Sequence, residues 1–217
     1  MNMRFPCRLI ALALVSLPSV LAAQINGPGR VHVALGMAAA AHATSYTVTA
    51  TFLGIPFQST SNDGAATVTV PIEVGVGIAK VASLGIFIEP GSYLDSSATE
   101  SNGLASIGFQ PRFYLVNKDR FALMASLRLG ASALQIDRSE PDERSSALYQ
   151  GGHFGLGTGV AFHFTDHFGL QLHLNYVANG LKLREYTLNG TGIALDDYKA
   201  ELSTRGLALQ ASLVLRL

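Results

Sequence analysis

From Leu207 to Leu217 the chain alternates without a break. Leu207, Leu209, Ala211, Leu213, Leu215 and Leu217 fall on one side, and Ala208, Gln210, Ser212, Val214 and Arg216 on the other. Successive side chains of a strand point to opposite faces, so this period of two predicts a strand with one wholly apolar face. The same period recurs upstream and predicts eight strands, roughly 30–41, 67–80, 84–94, 103–116, 121–135, 149–164, 168–182 and 205–217. Each is long enough for the about 9–11 residues that a tilted membrane-spanning strand requires. The predicted connections alternate between long and short. A loop of about 25 residues from His42 precedes a tight turn at Val81 to Ser83, and a loop at Asp95 to Asn102 precedes the turn Asn117-Lys118-Asp119-Arg120. A charged loop from Ile136 to Leu148, the turn Thr165-Asp166-His167 and a long loop from Leu183 to Thr204 complete the series.

Which face is apolar separates two barrel classes, because a soluble ligand-binding barrel has an apolar interior whereas a membrane barrel turns its apolar face outward. In the second strand Val68, Val70, Ile72, Val74, Val76 and Ile78 oppose Thr67, Thr69, Pro71, Glu73, Gly75 and Gly77. In the seventh, Phe168, Leu170, Leu172, Leu174 and Tyr176 oppose Gly169, Gln171, His173 and Asn175. In the sixth, Phe154, Leu156, Val160 and Phe162 oppose His153, Gly155, Gly157, Gly159 and Ala161. These polar faces carry too little charge for a surface in water and read as a narrow, glycine-lined lumen. Phe113, Phe121, Phe164 and Phe168 lie beside short turns, where an aromatic girdle belongs. The alternative for these phenylalanines is the core of a sandwich.

Composition agrees, since charged residues make up only 14% of the chain while glycine occurs 22 times; soluble domains carry about 25% charge. Arg4 and Arg8 followed by the apolar run Leu9 to Val15 and the small residues of Val20-Leu21-Ala22-Ala23 predict a cleaved secretory signal over 1–23. The barrel domain then spans 24–217, and no apolar run is long enough for a transmembrane helix. Cys7 lies in the predicted leader, which excludes thiol and disulfide chemistry from the mature chain. Losing Arg4 and Arg8 leaves 13 basic against 15 acidic residues. A weakly acidic chain without a basic patch argues against nucleic acid.

The phrase Gly155-Leu156-Gly157-Thr158-Gly159-Val160-Ala161-Phe162, followed by Thr165-Asp166-His167-Phe168-Gly169-Leu170-Gln171-Leu172, resembles the strand, turn and strand of the small eight-stranded outer-membrane barrels of the OmpA/OmpX type. The resemblance covers about Arg30 to Leu217. It implies an all-β, antiparallel, up-and-down transmembrane β-barrel, exported through the Sec pathway to a Gram-negative outer membrane as a monomer. It also implies contact with lipids and lipopolysaccharide, and recognition of the closing strand by the barrel-assembly machinery. Many members end in an aromatic residue, whereas this chain ends in Leu217.

Ionisable residues on inward faces need a partner or water at membrane depth. Glu73, Glu89, Arg112 and Arg128 are such residues, and they predict a charge network joined by Gln110, Tyr114 and either His153 or His173. Counting from the short turns puts Glu89 and Arg112 at similar low heights, with Glu73 and Arg128 above them. The network reads as a structural plug or as a gate on a narrow water path. His32, His153, His163 and His173 also face inward, but no pair has close ligand spacing, so no metal is predicted. Gly155-x-Gly157-x-Gly159 is neither a dinucleotide nor a phosphate-loop signature, and no cofactor is predicted. Asn189-Gly190-Thr191 reads as a turn.

Lipid A modification, which some barrels of this size carry out, needs a hydroxyl beside a base. Asn175 stands where His173 would need a serine, and Ser45 near His42 is the remaining candidate. Function is therefore expected in the loops, which present variable segments outside a rigid scaffold. The first, with Thr44, Ser45, Tyr46, Thr47 and Phe52 through Phe57, is hydroxyl-rich and partly apolar. The third runs Asp137-Arg138-Ser139-Glu140-Pro141-Asp142-Glu143-Arg144, and the fourth carries Asp196, Asp197, Lys199 and Glu201. The expected role is structural or loop-mediated binding and adhesion to an external ligand, the alternative being a narrow channel for small solutes.

Overall fold

The last strand pairs with the first, which turns the alternation into a closed wall. The computed structural model describes residues 24–95, 102–140, 143–195 and 198–217, so the predicted leader and the acids Asp142, Asp196 and Asp197 lie outside the described residues. The strands are β1 (Val31–Phe52), β2 (Ile55–Thr69), β3 (Ile72–Ala79), β4 (Ala82–Asp95), β5 (Asn102–Asn117), β6 (Phe121–Glu140), β7 (Glu143–His163), β8 (Phe168–Leu188), β9 (Thr191–Gly192) and β10 (Tyr198–Arg216). β2 and β3 are two halves of one wall strand, each pairing with β1 and β4. The break between them falls at Pro71, which has no N–H to donate to the ladder, although its carbonyl still accepts from Gly36 N–H at 3.0 Å. The wall is thus a ring of eight antiparallel strands, with β1 and β10 in continuous register from His32↔Arg216 to Ala50↔Tyr198.

The faces fall as the alternation requires. Val68, Val70, Ile72, Val74, Val76 and Ile78 are exposed on the outside, as are Leu207, Leu209 and Leu213, while Glu73, Gln210, Ser212 and Val214 are buried inside. On β10 the apolar outer face runs from Leu207 to Leu217, about 34 Å of strand, which at a tilt of about 40° spans about 26 Å of membrane. That matches the roughly 25 Å lipid-facing band of such barrels. Phe113, Phe164 and Phe168 are exposed at its lower edge, and Phe121 stacks against Phe162 with ring centroids 5.0 Å apart.

Two predicted loops prove to be strand. The loop expected from His42 is a hairpin in which β1 and β2 stay paired up to Phe52↔Ile55, closed by Leu53 and Gly54 at φ of 50° and 79°. The charged segment from Ile136 to Leu148 likewise continues the β6–β7 ladder as far as Glu140↔Glu143. Above the lipid both faces of a strand meet water, so hydrophobic alternation no longer marks these segments. Much of the expected Leu183 to Thr204 loop is also strand, with β8 turning at Asn189-Gly190 into the short β9.

The segment before β1 closes the lower mouth. Asn26 Nδ2 donates to the carbonyls of Ala79 at 2.7 Å, Ala82 at 3.1 Å and Lys80 at 3.3 Å, and Asn117 Oδ1 accepts from Asn26 N–H at 3.0 Å. Ile25 is buried with Tyr114, Ala122, Met124 and Ala161. Arg30 and Arg216 both donate to the carbonyl of Gln24.

Candidate functional site: a charged lumen beneath a tyrosine cup

Alternation sends Glu73, Arg112, Arg128 and Gln210 into the lumen from four different wall strands, where all four are buried to 2% exposure or less. Glu73 is the hub. Its carboxylate accepts from Arg112, from Arg128 at 2.5 Å and from Gln210 Nε2 at 3.0 Å. Arg128 reaches further, donating to Glu89 at 3.0 Å and to Gln210 Oε1 at 2.7 Å. Glu89 also accepts from Thr69 at 2.5 Å, and Arg112 donates to Gln110 at 3.3 Å. The Arg128 guanidinium lies 5.2 Å from the centroid of the Phe87 ring, a cation–π contact that covers one of its faces.

The four predicted charges therefore meet, but in a different pairing from the expected heights. Arg112 lies opposite Ser83 and Glu89 opposite Ser106, six residues apart along the β4–β5 ladder. Barrel closure staggers neighbouring strands, so counting residues from each turn does not give a common height. Gln110 joins the network, and His173 approaches it through Gln171 at 3.4 Å. Tyr114 does not; it packs against the lower-mouth cluster with Ile25. His153 instead faces Asn179 at 2.9 Å and Ser132 at 3.4 Å. Gln210, which carries no charge to mark it in the sequence, joins the network as well, since its inward parity on β10 places it at membrane depth among the charges.

The glycines of β7 explain how so much fits. A Cβ on Gly157 would lie 1.9 Å from Asn175 Oδ1, one on Gly159 2.4 Å from His173 Nδ1, and one on Gly155 3.1 Å from the Arg128 Cβ. Each omitted side chain makes room for the lumen residue of a neighbouring strand.

Both Ser132 and Asn179 approach the same nitrogen of His153, so the ring cannot relay a proton from one to the other. His42 faces the lumen and bonds Thr67 at 3.0 Å, while Ser45, three residues on, takes the opposite strand face. Among the described residues no three His, Cys, Asp or Glu side chains gather as a metal site.

Above the plug the barrel opens. The outer ends of the strands enclose a cup of about 720 Å³ lined by Tyr46, Tyr93, Tyr149, Tyr186 and Tyr198, with Asp63, Asp95 and Arg138 around it. Its floor is the buried cluster of Tyr93, Leu134, Tyr149, Leu181, Ala200 and Leu202. Tyr46 and Tyr149 meet edge to face at 6.5 Å, with their hydroxyls 3.3 Å apart. Burial, together with the hydrogen bond to Tyr149, lifts the Tyr46 phenol to about 12, and burial with the Tyr46 bond does the same for Tyr198. Both hydroxyls keep their protons near neutrality, Tyr198 directing its own to Tyr46 and Tyr46 its own to Tyr149. By contrast, two lumen voids below measure only about 10 and 20 Å³.

Known structures share this architecture. The outer membrane protein OprG from Pseudomonas aeruginosa superposes with a TM-score of 0.61 at 9% identity, over 88% of this chain and 97% of that one. The fold is that of the small outer-membrane β-barrels. The outer membrane protein AlkL, determined in lipid bilayers, aligns with a TM-score of 0.51 at 11% identity, over 100% of this chain and 98% of that one. No known family profile matches the sequence, and no curated protein matches it. At such identities an outer-membrane barrel shares a wall with its neighbours, while the side chains of plug and cup are its own.

Proposed function

We propose that this outer-membrane barrel binds at its outer end and is sealed below, so that the lumen charges are a structural plug and the tyrosine cup is the binding site. The contrast between a cup of about 720 Å³ and lumen voids of about 10 and 20 Å³ carries this reading. A void of that lower size has room for about one water, not for a solute path. The cup offers ring faces and phenol donors over an apolar floor, which suits a small, largely uncharged ligand with an acceptor group. Bilayer lipids and lipopolysaccharide surround the belt, the chain acts as a monomer, and the assembly machinery reads the strand that ends at Leu217. The carboxyl and guanidinium groups serve stability, not catalysis.

Planar-bilayer recording of the refolded protein tests the plug. Wild type, Glu89→Ala and Arg112→Ala are expected to show no discrete conductance while migrating as folded, heat-modifiable barrels; steps in wild type that widen in the variants would establish the channel instead. For the cup, 4-fluorophenol followed by fluorine NMR is expected to exchange with a site that Tyr149→Ala removes. Identical spectra for the two proteins would refute cup binding.

A further inference from the structure

β1 keeps β10 beside it up to Ala50↔Tyr198, and among the described residues the β1–β2 turn from Thr51 to Pro56 projects beyond that last pair with an apolar tip. Phe52, Leu53, Ile55 and Phe57 are 68%, 86%, 59% and 59% exposed. Among the described residues Ile55 to Gly64 pair with β1 alone, since β4 joins β2 only from Ala65 onward. From the top of the apolar belt at Ala41, paired with Leu207, to Phe52 the strand rises about 37 Å, or about 28 Å along the barrel axis.

The turn at the tip is a costly choice. Leu53-Gly54 and Asn189-Gly190 close two hairpins of this chain with matching φ, 50° and 79° against 49° and 79°. Asn-Gly is the favoured pair for such a turn, because asparagine tolerates positive φ and a branched apolar side chain does not. Leucine at the first of these positions keeps the backbone strained and the side chain in water, which points to a role for the side chain itself.

We propose that this tip inserts into the hydrocarbon of a second, apposed membrane and so attaches the protein to a lipid surface. No residue from Ser45 to Asn62 carries a charge, so nothing on the tip resists transfer into lipid. Entry is confined to the tip, where Phe52 and Ile55 close the ladder on each other and Pro56 beside them has no N–H to leave unpaired on the outer edge. Below the apolar tip, Thr47, Thr49, Thr51, Gln58 and Thr60 supply hydroxyl and amide groups at headgroup level, and Thr47 and Thr60 meet at 3.2 Å. A protein strand is a poorer occupant, because Pro56, in the pair next to the closing one, takes a donor away from the free edge. On the neighbouring β10, Lys199 lies across from Thr49 and Glu201 from Thr47, charges of both signs below the tip, so the attachment rests on the apolar tip and not on anionic lipid. It does not depend on whether the cup binds a ligand.

The chain contains no tryptophan, so Leu53→Trp provides a single reporter at the tip. The full refolded protein, held in an amphipol that covers the belt, is mixed with phosphatidylcholine vesicles. The indole emission is expected to shift to the blue, to be quenched by lipids brominated on the acyl chains, and to stay shifted in 1 M salt. Vesicle flotation of the protein with native Leu53 is expected to weaken by at least about tenfold in Phe52→Ser/Phe57→Ser and to be unchanged in Lys118→Ala, on the short turn at the other end of the barrel. Emission that does not move, binding lost in salt, or flotation equal in the serine variant would overturn the proposal. A blue shift that grows with protein concentration without vesicles would overturn it in favour of self-association. The serine variant leaves the cup tyrosines in place, so 4-fluorophenol exchange separates failure of the tip from failure of the cup.

Discussion

Gln210 of the closing strand donates to Glu73 of the second wall strand at 3.0 Å, and through its other amide atom accepts from Arg128 at 2.7 Å, so one neutral side chain braces an acid and a base at once. The plug therefore links opposite parts of the wall, and Glu73 stands at its centre with two arginines.

Removing Glu73 leaves the Arg112 guanidinium with only the neutral Gln110 and Gln171 and takes one of its two carboxylates from Arg128. Glu73→Ala is expected to destabilise the folded barrel by about 3–5 kcal/mol, the range for breaking a buried pair by deleting one member. Glu89→Ala should cost clearly less, because Arg128 keeps Glu73 and Gln210 as partners. Denaturant titration in lipid vesicles ranks the two, and an equal loss would show that the hub lies elsewhere.

Crowding on β7 gives a second expectation. At Gly159 an added Cβ meets both the His173 ring at 2.4 Å and the Leu172 carbonyl at 2.7 Å, and the carbonyl belongs to the ladder and cannot swing away. Gly159→Ala is expected to cost about 1–3 kcal/mol by overpacking. Gly155→Ala, which meets only the Arg128 side chain at 3.1 Å and beyond, should cost less.

The lower mouth makes a local prediction. Asn26→Ala frees the carbonyls of Ala79, Lys80 and Ala82, while Lys80 retains only its bond from Asn117 at 2.6 Å. Trypsin should then cut after the exposed Lys80 faster than in wild type, with the rest of the barrel intact on a gel. Unchanged cleavage would mean that the turn holds itself.

Leu53→Asn relieves the strained turn and is expected to stabilise the hairpin by up to about 1 kcal/mol, seen as slower amide exchange from Thr49 to Gln58. The same change should lower vesicle attachment.

The eight wall strands and their outward faces can be read from alternation because lipid on one side and a packed lumen on the other impose opposite chemistry on neighbouring residues. Val68 to Ile78 and Leu207 to Leu217 show this plainly. Alternation fails where that contrast ends, and so the paired hairpins at Val48↔Ser59 and Arg138↔Ser145 read as loops. The charge network was legible as a set of inward residues, but its pairing was not, because the stagger that puts Arg112 six residues from Glu89 is a property of the closed ring. The cup was hidden for a further reason: its tyrosines come from segments distant in sequence, with no motif linking Tyr46, Tyr93, Tyr149 and Tyr198.

The pairing of β1 with β10 makes assembly a test of completeness. Until the final strand arrives, the wall has two open edges whose N–H and C=O groups lipid cannot satisfy. A chain cut short before Gln210 would lose that residue and Arg216 as well as most of the seam, and with them a brace of the plug and a tie to the lower mouth. Such a product has no partly closed state in which to rest in a bilayer, so truncated copies should fail to insert instead of accumulating as leaky half-barrels.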